Sequence, residues 1–66
     1  MTVYIEGIGK ITASKDVLNN LAIIAGEASE GFTRNELFGF AKQAKDMDFA
    51  IYKALDKVGY YDGIEV

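Results

Sequence analysis

The sequence has no cysteine and no histidine, and each absence removes a block of chemistry. Without cysteine there is no disulfide framework, no thiolate nucleophile and no thiolate-held zinc or iron–sulfur centre. Without histidine the commonest general base and the commonest transition-metal ligand are missing too. Hydrolase triads built on histidine, zinc sites and haem attachment are therefore excluded. The remaining nucleophiles, Ser14, Ser29, Thr2, Thr12, Thr33 and the lysines, have no activating base in any known motif. No enzyme is expected and no cofactor is implied. Long apolar runs are absent as well, since nothing approaches the roughly 18 residues a membrane span needs. The opening MTVYIEGIGK has no basic segment followed by an apolar run, so no secretory signal is expected. A cytoplasmic protein that does not enter the membrane is the expectation.

Basic charge is also scarce: seven Lys and Arg stand against ten Asp and Glu, for a net charge of −3. That balance disfavours nucleic acid as a partner, because counterion release by lysine and arginine supplies most nonspecific affinity, although a local basic face remains open. What is plentiful is apolar side chain. Hydrophobic residues make up 50% of the chain and charged residues 26%, the balance of a packed globule and not of a disordered tail. Sixty-six residues make one domain, near the lower size at which a core alone holds a chain folded.

Residues 2–12 alternate with period two, Val3, Ile5 and Ile11 on one side and Tyr4, Glu6, Lys10 and Thr12 on the other, which is strand material. Gly7 and Gly9 around Ile8 fit either a tight hairpin or one bulged strand. Ser14 stands as an N-cap with Asp16 in the first turn, predicting a helix over about 15–29. Its expected core seam is Val17, Leu21, Ile24 and Ala28, with Leu18, Ala22 and Ala25 beside it. Asp16, Glu27 and Glu30 form its solvated face, and Ile23 is a lone apolar residue among them. Gly31 is placed to close that helix, and Thr33 with Glu36 has the form of a capping box opening the next. The short linker makes the two helices neighbours in space.

From Arg34 to Val58 a continuous helix puts Leu37, Ala41, Ala44, Ile51 and Leu55 on one stripe, flanked by Phe40, Met47, Ala54 and Val58, with Asp48 in its middle. A buried, unpartnered carboxylate costs several kcal/mol, so a break near Lys45–Met47 is expected, with Asp46 or Asp48 capping a third helix to about Val58. Gly59 ends it. Tyr60, Ile64 and Val66 then alternate with Tyr61 and Glu65 as a short strand able to pair with residues 2–6, or Asp62-Gly63 is itself a turn. The expected fold is α+β: a small antiparallel sheet from the two termini, covered on one face by two or three helices.

With such a break, Phe40, Ala41 and Ala44, a turn, then Ile51 and Leu55 have spacings that resemble a helix-turn-helix, and Gly59-Tyr60-Tyr61 stand where a winged version begins its hairpin. That resemblance covers about a third of the chain and implies a winged-helix-like DNA-binding regulator reading with residues 48–57, through Lys45, Lys53 and Lys57. The chain departs from the pattern at Lys45, where the turn usually has glycine, and at Asp46, where an apolar residue is usual. Asp46 and Asp48 would also oppose the phosphates at the reading end. Asp46-Met47-Asp48 lacks the further ligands of a calcium loop, so no metal is expected.

The other reading rests on the outer flank of the continuous wheel. Phe38 and Phe49 lie about 20° apart there, beside Lys42, Lys45, Lys53 and Asp56. Aromatics edged by charge have the composition of a protein-binding hot spot and its rim. Phe38, Phe49, Lys53 and Ile23 are thus the candidate contact residues of a small nonenzymatic binding protein that regulates or inhibits a larger protein, a class that includes short viral or mobile-element inhibitors. A self-assembling subunit, a homo-oligomer, is a third class.

Overall fold

The computed structural model describes residues 1–63. In chain order they form strand β1 (Thr2–Ile5), strand β2 (Gly9–Thr12), helix α1 (Lys15–Arg34) and helix α2 (Phe38–Lys57). This is the expected α+β class, a small antiparallel sheet against a pair of helices.

The glycine pair resolves to a hairpin. β1 and β2 are antiparallel in the register Thr2↔Thr12, Val3↔Ile11, Tyr4↔Lys10 and Ile5↔Gly9. Ile8 N–H donates to the Ile5 carbonyl at 3.0 Å, and Gly7 has φ 82°, the positive value that the third residue of a type II turn requires. Val3 and Ile5 point inward and are buried, whereas Tyr4, Lys10 and Thr12 face out, as the alternation implies. The open end is tied by the Met1 ammonium and Ala13 N–H, which donate to the Ala13 and Met1 carbonyls respectively, each at 3.0 Å.

Ser14 caps α1 as expected, its Oγ accepting from Val17 N–H at 3.2 Å. The helix does not stop at Gly31 but runs on to Arg34. The capping-box reading is overturned with it: Thr33 Oγ1 donates back to the Ser29 carbonyl at 2.8 Å, and Glu36 takes φ 60°. Glu36 N–H then donates to the Thr33 carbonyl at 3.1 Å and Leu37 N–H to the Phe32 carbonyl at 2.8 Å, the paired bonds of a Schellman ending. The expected seam also rotates by about one residue. The buried positions are Leu18, Ala22, Ala25 and Ser29, while Val17 and Ile24 are exposed.

α2 is unbroken from Phe38 to Lys57, so the break near Lys45–Met47 and the third helix are not found. The helix-turn-helix comparison loses the turn it needs. The reason lies on the neighbouring helix. Asp48 is half-buried, and its carboxylate lies against Gly26 of α1: a Cβ added there would meet Asp48 Oδ2 at 2.9 Å. A missing side chain on α1 makes room for the carboxylate at the edge of the interface, where a helix break is not required.

α2 ends where Gly59 predicts, with Gly59 at φ 77° and the Gly59 and Tyr60 N–H groups donating to the Asp56 and Leu55 carbonyls, each at 3.0 Å. Residues 59–63 then form turns, Asp62 N–H donating to the Gly59 carbonyl at 3.1 Å. The expected C-terminal strand falls largely on 64–66, outside the described residues. The described sheet is β1 with β2.

The two helices pack as an antiparallel hairpin. At one end, Val3 and Ile5 of the sheet join Leu18, Ala22, Ile51 and Leu55 in the core, where Ile5, Leu18, Ile51 and Leu55 are fully buried and each contributes about 1.5–3 kcal/mol by leaving water. Tyr60 and Tyr61 close that end, their hydroxyls donating to Asp16 Oδ1 at 2.6 Å and Asn19 Oδ1 at 2.8 Å. At the other end the helices meet through the small buried residues Ala25, Ser29 and Ala41, and Phe32 packs on Phe40 at 5.6 Å between ring centroids across the turn.

Candidate functional site

The outer flank of α2 is built as the continuous wheel implies. Phe38 is 64% and Phe49 59% exposed, and because the helix is unbroken they stay on one side of it, about 16 Å apart along the axis. Lys53 Nζ lies over the Phe49 ring at 5.2 Å from its centroid, a cation–π contact one turn along the helix. Phe49 and Lys53 line a shallow depression whose far wall is Tyr4 and Glu6 of the hairpin and whose floor includes Gly39 and Ala50. Lys42 and Asp46 edge the same depression, joined by an ion pair at 2.9 Å. The Asp46 hydrogen bond raises the Lys42 ammonium above its ordinary pKa. The flank thus has aromatic anchors, a fixed cation and charges of both signs at its rim.

Ile23 is exposed but does not join this surface. It lines a different cleft, with Gly26, Glu27, Glu30, Lys45 and Asp48. On α1 that cleft and the flank carrying Ile24 and Ala28 lie on opposite sides of the buried seam. Nor do the three lysines of the DNA reading converge. Lys45 lines the Ile23 cleft, Lys53 folds over Phe49, and Lys57 sits in the last turn of α2, so they spread over about 120° of the helix. Three of the four tyrosines are committed as well: Tyr60 packs edge-on to Tyr61 at 5.1 Å, Tyr61 packs at a tilt on Tyr52 at 5.2 Å, and the Tyr60 and Tyr61 hydroxyls are hydrogen-bonded to α1.

A second exposed apolar surface was not foreseen. Ile8, Ile24, Ala28, Phe32, Phe40 and Met47 line a groove between the helices. Its signal was in the sequence but was assigned to the interior: Leu21, Ile24 and Ala28 of the expected core seam line one wall. The seam was correctly periodic, but Val17 and Ile24 are left exposed, because among the described residues the four-residue strands do not cover them.

Fold and surface together define a small α+β domain with two exposed apolar faces among its described residues, one edged by charge and one nearly free of it. Compared with protein-family models, curated proteins and solved structures, the chain shows no significant match to any.

Proposed function

We propose that this protein is a nonenzymatic binding domain that regulates or blocks a larger protein by contact through the outer flank of α2. The observation that carries this reading is the pair of exposed phenylalanines on one unbroken helix, with Lys53 held over the Phe49 ring. Large aromatic side chains lose little conformational entropy on binding and gain much buried area, which is why they anchor contacts while charged neighbours set the partner. Tyr4 across the depression extends the anchor onto the rigid hairpin. Mixed charge around an apolar centre is the composition of an interface that forms and dissolves.

Affinity capture from the native host, scored by mass spectrometry for protein and nucleic acid, tests it. The wild-type chain retains a specific protein, and Phe49→Asp weakens that capture by roughly 30-fold or more, the effect of losing a hot spot, with helical circular dichroism unchanged. Equal capture by both chains removes the flank from the contact. Unfolding of Phe49→Asp would show that the ring is needed by the fold. Recovery of DNA that Lys53→Glu with Lys57→Glu abolishes would replace this reading with the nucleic-acid one.

A further inference from the structure

The sheet is too short for the helices it covers. Strands of four residues span about 13 Å, whereas helices of twenty run about 30 Å. The hairpin seals the half of the helix pair around Leu18, Ala22, Ile51 and Leu55 and stops at Ile8. Beyond Ile8 the apolar groove continues between the helices, and Ile24 is 60% and Phe40 58% exposed. Among the described residues Gln43 is the one polar residue lining it.

We propose that a second copy of this chain covers the groove, groove against groove about a two-fold axis. The area fits a weak pairing. From their exposures and sizes the side chains lining the groove present on the order of 500 Å², at the upper end of what a monomer leaves open and near the low end of interfaces that form reversibly. The chemistry fits as well. A wall without formal charge offers nothing to select a partner of either sign and is complementary to itself, and permanent homodimer interfaces have this composition, that of a core cut in two. The architecture fits too, because one layer of two helices becomes two layers and four helices around a single interior.

Head-to-tail association would need a second apolar face of similar size. The other candidates are interrupted: Ile23 by Glu27, Glu30 and Lys45, and the Phe49 flank by Glu6, Lys42, Asp46 and Lys53. The same patch is therefore used on both copies, which closes the assembly at two. The pairing leaves the Phe38–Phe49 flank outside the interface, so the dimer displays it twice.

Sedimentation equilibrium of the full chain from micromolar to submillimolar concentration tests this. The mass should approach twice 7.2 kDa. Phe40→Glu and, separately, Ile24→Glu place a carboxylate in the interface and should each weaken association at least about 100-fold with helical content retained, while Phe49→Asp leaves the dimer intact. Where one groove variant fails to fold, the other decides. The proposal is overturned by a wild-type chain that stays monomeric throughout, including one whose groove instead takes up an added amphipathic helical peptide. It is equally overturned by a dimer that survives both groove variants, by a dimer lost with Phe49→Asp, or by unfolding of both groove variants, which would make the groove part of the protomer's own core.

Discussion

Glu36 adopts φ 60°, a left-handed conformation that costs an L-residue roughly 1–2 kcal/mol. It is held there because the reversal lets the Glu36 and Leu37 N–H groups reach the last carbonyls of α1. Glycine meets no such penalty, and Gly59 performs the same reversal after α2. Glu36→Gly should therefore stabilise the fold by about 1 kcal/mol, raising the thermal midpoint by roughly 4–8 °C in a domain of this size. A midpoint that stays put or falls would show that the Glu36 side chain has a role absent from this account. Thr33 and Glu36 also show why the junction was misread. Their spacing satisfies a capping box, yet Thr33 in mid-turn can equally bond back to Ser29, and packing of Phe32 on Phe40 decides between the two. Asp48 is the companion case: its intrusion on the apolar stripe is visible in sequence, whereas the space left by Gly26 on another helix is not.

At the scale of elements, the strand character of residues 2–12, the start of α1 and the end of α2 were legible because each depends on local chemistry: alternation, a serine cap, a glycine stop; the two glycines left a hairpin and a bulged strand both open. The continuity of α2 was not, because it depends on what α1 places opposite Asp48. The turn after α2 carries a pH dependence. The hydrogen bond to Asp16, reinforced by desolvation, raises the Tyr60 hydroxyl above its ordinary pKa, and burial raises that of Tyr61. A raised value means the folded chain keeps these protons longer than the unfolded one, so their contribution is complete below the unfolded tyrosine pKa of about 10 and is lost as pH rises past it. Denaturant midpoints should be level from pH 7 to 9 and fall above about 10, less steeply in Tyr60→Phe. A profile for Tyr60→Phe identical to wild type would mean the bond to Asp16 does not hold the turn.

At the scale of the molecule, composition and period announced a small α+β domain, and the fold agrees. Direction was harder. The period of α1 gave the right set of apolar residues but not which of them the short hairpin would reach, so Val17 and Ile24 were assigned to the interior and emerge at the surface, while Leu21 packs against the core. Phe38 and Phe49 stand on the outer flank of the α2 wheel, yet aromatics at helical spacing are as readily core, so their exposure could not be fixed from the sequence and is settled by the continuity of α2. The central proposal is that the helix pair is only half covered by the described residues of one chain and that a second copy supplies the rest. Thermal unfolding followed across a wide range of chain concentration addresses it most directly, since association adds stability that grows with concentration. A midpoint climbing steadily with concentration in the wild type, and flat in Phe40→Glu, is the predicted result; a wild-type midpoint independent of concentration would contradict it.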